Sequence, residues 1–436
     1  MIKKYICIVL TVMQLQLDAQ SPTFTTHPST SLASTYHPGL AGISSSRVAR
    51  LDQAMEELVK SEKLPGFVAL VARKGKIVYH KAYGYSDFES KKPLKTDDIF
   101  RIASMTKAIT ATAVMMLYEE GKFSLDDPIS KWIPEFGHPG VIDGFSAADS
   151  SFTLKPVKKE ITIRHLLTHT SGIGYGQIDS DERFKKIYAK AGIHEISSTD
   201  AASTASNIKK LAALPLHFEP GEKWSYSMGL DVLGYFIEMV SGESFADYLS
   251  NHVFKPLGMK DTYFYLPASK NDRLVKIHMQ DSIKKWSAIS VYQSFNADYP
   301  IVGTRSLCSG GGGLSSTALD YAIFLQMLLN HGVYNGKRFL SRPTVDLLTE
   351  SNQIGDLWGG EKGENHFSLG FSVINPAGVF RGNGSEGRFS WGGAFNTNYW
   401  VDPKEQIIIV LMKQTFGFSD ASESIFTRMV YQTIDD

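Results

Sequence analysis

A serine and a lysine three residues apart, at the start of a long apolar helix, constrain this chain more than any other sequence feature. They are Ser104 and Lys107, and residues 108–117 after them are apolar residues, alanines and threonines. Residues three apart lie on one face of a helix, so the two side chains lie side by side. Burying a lysine in so apolar a helix costs free energy, so a lysine at this position is expected to have a function. A buried lysine with a lowered pKa can take the serine proton, so the pair is a candidate nucleophile and base.

The composition argues against some classes of binding partner. The 45 basic and 45 acidic side chains give zero net charge, so no nucleic-acid or other polyanion partner is predicted. A hydrophobic content of 43% supports a large packed core.

The N-terminus predicts a secretory signal peptide. Residues 1–4 carry two lysines, residues 5–13 are apolar, and cleavage after Ala19 fits the pattern. The apolar run is too short to span a bilayer, so the expected mature chain is exported, periplasmic or secreted, with no integral membrane span. Residues 20–48, rich in serine, threonine, proline and histidine, predict a flexible leader.

The two cysteines predict no intramolecular disulfide. Cys7 lies within the predicted signal peptide, which leaves Cys308 as the one thiol of the mature chain. Small residues surround Cys308, and a packing role is expected because no histidine neighbours it to activate it.

Several secondary structure elements follow from periodicity. Apolar residues at helical spacing predict a helix from about residue 46, and a β-hairpin is predicted at residues 66–84. Residues 161–172 predict a helix that ends at Gly172. Residues 388–412 predict two antiparallel strands joined at 402–405, and a C-terminal amphipathic helix follows. The polar, helical-looking residues 180–215 are expected to contribute to a cap over the site.

Two further patterns have structural interpretations. His165 and His169 have the spacing of metal ligands, but no glutamate follows His165 and no third ligand is apparent. We therefore predict structural roles for them, and neither a metal nor a cofactor. Residues 310–313 are four glycines, which predict a close backbone approach and a helix N-cap at Ser316 or Thr317.

Three motifs, taken together, resemble a known family. Ser104-Met105-Thr106-Lys107, Tyr226-Ser227-Met228 and Trp391-Gly392-Gly393 stand in the order of the serine β-lactamase and penicillin-binding protein superfamily. The chain resembles the class C-like branch, and its motifs are most similar to those of family VIII carboxylesterases. The likeness extends over nearly everything after about residue 50.

The resemblance implies a β-lactamase-like α/β (α+β) fold. An antiparallel sheet flanked by helices and a mainly helical subdomain would enclose the active site between them. The whole unit would span residues 49–436. Its α/β part would comprise about 49–100 and 305–436, and its helical part about 101–300.

The resemblance also assigns catalytic roles. Ser104 would be the acylated nucleophile, with Lys107 and Tyr226 as acid and base; which of these two is the base stays open. The backbone N–H groups of Ser104 and Ala394 would form the oxyanion hole, which stabilises a tetrahedral intermediate.

Departures from the lactamase pattern bear on the substrate. Met228 replaces an asparagine that hydrogen-bonds an acylamide, and Trp391 replaces a cation that helps to recognise the substrate carboxylate. Met228, Trp391, Gly392 and Gly393 are the predicted substrate contacts, because adjacent glycines in a strand indicate a close approach, here by substrate. A neutral acyl ester therefore fits better than a lactam carboxylate.

The leading hypothesis is an exported serine hydrolase that cleaves carboxylic esters. The expected partner is a small-molecule acyl ester or amide. Alternative enzymes are a β-lactamase, a D-Ala-D-Ala carboxypeptidase or a D-amino-acid peptidase. An alternative of another class is a non-catalytic cell-wall or ligand-binding protein, although such a module needs no Ser104, Lys107 and Tyr226 together.

Overall fold

The computed structural model describes residues 31–34, 37–195, 198–199, 202–292, 295–358, 363–379, 384–417 and 420–436. The predicted signal peptide, residues 1–19, lies outside the described residues, and so does the first part of the predicted leader. The described part of that leader, up to residue 48, contains a two-residue strand, a 3-10 helix and the start of the first α-helix. No described helix combines the length and the apolar character that crossing a bilayer requires.

The α-helices of the described residues differ widely in length. They are α1 (Ser45–Lys60), α2 (Thr106–Glu119), α3 (Ile163–Leu167), α4 (Glu182–Ala191), α5 (Thr204–Ala212), α6 (Gly229–Ser241), α7 (Phe245–Tyr248), α8 (Lys255–Leu257), α9 (Ala318–Leu329), α10 (Arg342–Thr349), α11 (Pro376–Val379) and α12 (Ser422–Tyr431). A π-helical segment, Leu249–Phe254, joins α7 to α8.

The strands form one large sheet and several two-stranded ones. In chain order they are β1 (Ala33–Ser34), β2 (Gly66–Arg73), β3 (Lys76–Asp87), β4 (Lys92–Pro93), β5 (Phe100–Arg101), β6 (Gly140–Phe145), β7 (Phe152–Pro156), β8 (His278–Gln280), β9 (Trp286–Ala288), β10 (Val291–Tyr292), β11 (Phe295–Asn296), β12 (Ser315–Ser316), β13 (Val333–Tyr334), β14 (Lys337–Arg338), β15 (Asn365–Phe367), β16 (Ser372–Ile374), β17 (Phe389–Gly393), β18 (Thr397–Asp402) and β19 (Ile407–Lys413).

The central sheet has nine strands, in the order β1-β3-β2-β19-β18-β17-β16-β15, with β4 paired to the far end of β3. All pairings are antiparallel except that of β1 with β3. Side chains alternate between the two faces of a strand. In β2, Phe67, Ala69 and Val71 join a core beneath α1 and α12, while Val68 and Leu70 join the larger core with α2, α6 and α9. Helices therefore cover both faces, as predicted for the fold.

The helix that carries the serine and lysine motif is buried almost all round. From Thr106 to Met115 every residue of α2 is buried, so α2 lies inside the larger core, where it packs against α6. A helix that is apolar on all sides is expected to be central. The 3-10 turn Ala103–Met105 at the N-terminus of α2 lies against β17 and β18.

Two sequence predictions of elements were wrong in their bounds. The helix predicted over 161–172 is α3, which ends at Leu167, because His169 has a φ of 57° that a right-handed helix cannot accommodate. The stretch 388–412 forms three strands, since a turn at residues 394–396 divides the first predicted strand into β17 and β18. The hairpin β2–β3 and the helices α1 and α12 are confirmed. The bounds of the two predicted subdomains stay a prediction.

Candidate active site

The turn before Ser104 is held by backbone contacts on several sides. Strand β5 pairs with β12, and the Ile102 N–H donates to Leu314 O over 3.0 Å. Ala103, fully buried, has a φ of 42°, in the left-handed region that alanine rarely adopts. Tyr321 Oη donates to Met105 O, the carbonyl of the residue after Ser104, over 2.8 Å. Such an unfavourable backbone conformation persists only where the surroundings enforce it, and it is often found at functional sites.

Ser104, Lys107 and Tyr226 meet at this turn. Tyr226 Oη donates to Ser104 Oγ over 2.6 Å, and Lys107 Nζ lies 3.3 Å from the same oxygen. Lys107 Nζ also lies 4.6 Å from the centroid of the Tyr226 ring. Because Tyr226 comes from the loop before α6, the three side chains are brought together from two separate parts of the chain.

Lys107 has hydrogen-bond partners for all three of its protons. Besides Ser104 Oγ, its Nζ donates to Tyr175 Oη over 3.2 Å and to Gly311 O over 2.6 Å. The side chain is 1% exposed. An ammonium group is a donor of three hydrogen bonds and accepts none, so these three oxygens match the charged form of the lysine.

A buried carboxylate supports the loop that supplies the Gly311 carbonyl. Asp231, in α6, accepts from the Gly311 N–H over 3.2 Å and from the Ser309 hydroxyl. Burial raises the pKa of Asp231, and the positive charge of Lys107 opposes that rise. A Cβ on Gly310 would lie 2.2 Å from Leu230 O, and one on Gly311 would lie 2.3 Å from Asp231 Oδ2. The glycine run thus permits the close backbone approach that its sequence predicts, and Thr317 is the N-cap of α9.

Tyr226 is positioned by its ring neighbours and by the residue after it. Tyr175 stacks on its ring at a centroid distance of 5.2 Å with 14° between the planes. The His169 ring lies 4.8 Å away on centroids, and His169 Nδ1 is 2.9 Å from Ser227 Oγ. The Asp179 carboxylate accepts from the Tyr175 backbone N–H over 2.9 Å. These contacts leave Tyr226 little freedom to turn away from Ser104.

Burial fixes the protonation states of two of these neighbours. It raises the pKa of Tyr175 well above the ordinary value of a phenol, and the negative charge on nearby groups adds to this effect. Burial, together with the Lys107 charge, lowers the pKa of His169 well below that of a free imidazole. Tyr175 is therefore a neutral phenol and His169 a neutral imidazole near pH 7.

The glycine pair of the third motif lies against the turn that precedes Ser104. A Cβ on Gly393 would lie 2.4 Å from Ile102 O, and Thr397 Oγ1 donates to the same carbonyl over 3.3 Å. The group that approaches Gly393 closely is thus the protein's own backbone, whereas the sequence analysis expected the substrate there. Ala394 follows at the exposed turn between β17 and β18, and its N–H has no acceptor among the described residues.

Met228 occupies a different environment from the other predicted contacts. It is 1% exposed and belongs to the larger core, and its backbone N–H donates to Gly174 O over 3.1 Å at the start of α6. A contact between its side chain and a substrate would require this part of the core to open. Trp391 and Gly392, by contrast, are half-buried.

Three tryptophans cluster beside Tyr226. Trp224, Trp358 and Trp391 are half-buried and surround the fully buried Phe367, with ring centroids 5.9, 5.4 and 5.5 Å from that of Phe367. Trp391 lies 5.9 Å from the Tyr226 ring on centroids. We call these three indoles and Phe367 the aromatic wall.

Sequence reasoning missed several of these residues. Tyr175 attracted no attention, although Gly174 and Gly176 beside it are a signal of tightly held backbone; a Cβ on Gly174 would lie 2.7 Å from Asp179 Oδ2. Asp231 carried the same signal as Lys107, a charged residue inside an apolar helix. Trp224, Trp358 and Phe367 showed no pattern that linked them.

The two histidines of 161–172 have packing and capping contacts. His165 Nδ1 accepts from the Thr162 N–H at the start of α3 over 3.2 Å, and His169 contacts Ser227 as above. Within the described part of the chain, no group of three or more histidine, cysteine, aspartate or glutamate side chains is placed to hold a metal ion. Cys308 is buried, and burial raises the pKa of its thiol to about 12.

Comparison with known proteins gives consistent matches. The family model described as Beta-lactamase matches residues 51–431. Protein Rv1367c of Mycobacterium tuberculosis (strain ATCC 25618 / H37Rv) is 33% identical over 370 residues, 83% of this chain and 88% of that protein. Esterase EstB of Burkholderia gladioli is 31% identical over 386 residues, 85% of this chain and 91% of that protein. The solved structure of EstCE1, a hydrolase with promiscuous acyltransferase activity, is 26% identical with a TM-score of 0.75 and covers 88% of this chain and 98% of that one.

Proposed function

The chain belongs to the beta-lactamase family of serine hydrolases, and we propose that it is a carboxylesterase that works through an acyl-enzyme on Ser104. The family membership and the β-lactamase-like fold confirm the resemblance drawn from the three motifs. Ester hydrolysis is supported by the names of EstB, an esterase, and EstCE1, a hydrolase.

One observation carries the proposal. Ser104 Oγ lies within hydrogen-bond reach of both Tyr226 Oη, at 2.6 Å, and Lys107 Nζ, at 3.3 Å. A nucleophile beside a base, with the base held in turn by other groups, is the arrangement that covalent catalysis requires. A binding module has no need for a buried lysine with this geometry.

We assign the base role to Tyr226 and a fixed positive charge to Lys107. The three oxygens around Lys107 Nζ suit an ammonium group. Tyr226 Oη lies 2.6 Å from Ser104 Oγ and Lys107 Nζ lies 4.6 Å from the centroid of the Tyr226 ring, so a Tyr226 that accepts the Ser104 proton would work beside a positive charge. Asp231 holds the Gly311 loop in place, and the Gly311 carbonyl accepts from Lys107 Nζ.

The proposed reaction conserves its protons. Ser104 Oγ forms a bond to the ester carbonyl carbon as its proton passes to the Tyr226 phenolate, and the carbonyl electron pair moves onto oxygen. The N–H groups of Ser104 and Ala394 are the proposed donors to that oxyanion. Collapse breaks the bond to the leaving oxygen, which takes the proton from Tyr226. Water then loses a proton to Tyr226, attacks the acyl carbon and releases Ser104, which regains the proton.

Neutral esters are the proposed substrates. Trp391 supplies no positive charge at the position where lactamases and peptidases hold a substrate carboxylate, and we propose that Trp391 and Gly392 contact the ester directly. For Met228 and Gly393 we propose supporting roles, since Met228 lies in the core and Gly393 lies against Ile102.

The test is a turnover assay on p-nitrophenyl butyrate and on a chromogenic cephalosporin, with the Ser104→Ala protein as the blank. Fast ester cleavage with weak cephalosporin cleavage is expected. The reverse preference would make the protein a β-lactamase or peptidase. Absence of Ser104-dependent turnover on both would favour a binding protein.

Export is a separate proposal. The basic and apolar pattern of residues 1–19 supports a signal peptide, and mature protein starting at Gln20 is expected. The intact mass of protein recovered from the periplasm or the medium tests it; a mass that includes residues 1–19 contradicts it.

A further inference from the structure

We propose that the aromatic wall is the subsite for the alcohol part of the ester, and that it selects alcohols with a flat aromatic ring. This inference rests on the proposed esterase function and concerns the substrate class of the same site. Three of the six tryptophans in the chain lie on this one surface, which calls for an explanation beyond packing.

The wall joins parts of the chain that are far apart in sequence. Trp224 comes from the loop before α6, Trp358 from the segment before β15, and Trp391 from β17. The Trp224 and Trp358 rings meet at 5.5 Å, and those of Trp358 and Trp391 at 6.2 Å, on centroids. Phe367 packs below them and contacts Trp391 and Trp358 edge to face. The half-buried indoles thus present ring surface toward solvent from a rigid base.

The aromatic wall offers an apolar surface to a ligand. The cation–π contacts of the described residues involve tyrosine and phenylalanine rings, and none involves the three indoles. Trp224 Nε1 is buried and has no partner among the described residues, so a ligand cannot reach it. A flat aromatic ring can stack on the indole rings without a charged partner or a hydrogen bond.

The position of the aromatic wall relative to Tyr226 indicates that the wall contacts the alcohol part of the ester. Tyr226 Oη must protonate the leaving oxygen, so the group attached to that oxygen lies beside the Tyr226 ring. Tyr175 stacks on that ring and Lys107 lies over it, on the Ser104 side. Trp391 and Trp224 are its remaining aromatic neighbours besides His169, at 5.9 and 6.4 Å. An alcohol that leaves along Tyr226 therefore passes onto the wall.

The experiment compares esters that differ only in the placement of a ring. The full chain is assayed on benzyl acetate, on cyclohexylmethyl acetate, on ethyl acetate and on ethyl benzoate. We expect kcat/KM to be about tenfold higher for benzyl acetate than for cyclohexylmethyl acetate, whose ring is similar in size but is not flat.

The critical variant is Trp358→Ala, because the described ring contacts of Trp358 are with the other members of the wall and none is with Tyr226. It should lower kcat/KM for benzyl acetate about tenfold, chiefly through KM, and lower kcat/KM for ethyl acetate by a clearly smaller factor. Leu357→Ala, an exposed neighbour in the same segment, is the matched control and should change neither. If Trp358→Ala fails to fold, Trp358→Leu tests the same point with the volume largely kept.

The proposal is overturned if Trp358→Ala lowers both acetates equally, if it leaves the benzyl preference intact, or if ethyl benzoate is the ester whose turnover depends on Trp358. The last result would place the wall on the acyl side. If the proposed esterase function itself is wrong, no ester will show turnover that Ser104→Ala abolishes. That outcome differs from the three outcomes that overturn the subsite proposal alone.

Discussion

Tyr226 Oη donates a hydrogen bond to Ser104 Oγ over 2.6 Å, although 122 residues separate the two in sequence. Ser104 is fixed by a turn between β5 and α2, and Tyr226 by the start of α6. Since α2 and α6 pack together inside the larger core, the distance between these two oxygens depends on the packing of two helices.

Removing either member of this pair should stop turnover. We expect Ser104→Ala to lower kcat on p-nitrophenyl butyrate by about four orders of magnitude, and Tyr226→Phe by about three, because nucleophile and base are lost in turn. Steady-state assays at pH 7 measure both. Ser130→Ala, which removes a surface contact with Glu160, is the control and should keep wild-type activity; full activity in Ser104→Ala would refute the mechanism.

Lys107→Arg distinguishes the two candidate bases. An arginine stays protonated and cannot accept a proton at neutral pH. If Lys107 acts as a fixed charge, Lys107→Arg should retain measurable turnover, about a hundredfold below wild type, while Lys107→Ala falls to the Ser104→Ala blank. Equal loss in both variants, with thermal unfolding unchanged, would favour Lys107 as the base.

Tyr175→Phe tests the hydroxyl that sequence reasoning missed. The change removes one of the three oxygens around Lys107 Nζ and leaves the stacking on Tyr226 in place. A hydrogen bond to a charged group contributes about 1.5 to 3 kcal/mol to stability, so the free energy of unfolding should fall by up to that amount. We expect kcat to fall about tenfold with KM little changed, because Lys107 Nζ is then held by two oxygens in place of three. Tyr118→Phe, whose hydroxyl makes none of the described hydrogen bonds, provides the comparison. An unchanged kcat in Tyr175→Phe would show that this hydroxyl has no part in catalysis.

Gly393→Ala should damage the site through the backbone. Its Cβ would lie 2.4 Å from Ile102 O, so either β17 or the turn before Ser104 must shift, and the proposed Ala394 donor shifts with it. We expect kcat to fall about a hundredfold, since small displacements of reacting groups have effects of that size. At Gly137 an added Cβ meets nothing within 4 Å, so Gly137→Ala should be neutral. Equal activity in the two variants would contradict the close packing at Gly393.

His278 should make stability depend on pH. Burial lowers its pKa to about 4, and its Nε2 accepts a hydrogen bond from the Phe88 N–H. The folded state therefore holds this imidazole neutral, whereas in the unfolded chain it gains a proton below about pH 6.5. The contribution of His278 to the free energy of unfolding is complete above pH 6.5 and is lost as the pH falls toward 4. Between pH 7 and pH 5 this contribution decreases by about 2 kcal/mol.

Urea unfolding of the wild type and of His278→Gln, at pH 7 and at pH 5, measures this effect. The quantity compared is the difference in the free energy of unfolding between the two proteins. Other groups shift in the opposite sense; burial raises the pKa of Asp320 to about 6, for example. The comparison with the variant removes their contribution. The stability advantage of the wild type should shrink by about 2 kcal/mol from pH 7 to pH 5, and a constant difference would show that His278 titrates normally.

The sequence by itself identified the elements whose signals are local. Ser104 and Lys107 lie on one helical turn, so their spacing alone predicted that they meet. The order of the three motifs predicted the family and the fold, which the comparisons confirm. Glycines 310–313 and Thr317 were interpreted correctly because a glycine run and an N-cap are read from neighbouring residues.

Tertiary structure decided everything that depends on contacts between distant segments. No local pattern shows that Tyr175 contacts Lys107, that Asp231 supports the Gly311 loop, or that Ile102 is the group that lies against Gly393. The aromatic wall draws its rings from segments that are far apart in sequence, and no local pattern links them. A periodic pattern reports which face of one element is buried, but only the packing of elements determines which atoms meet there.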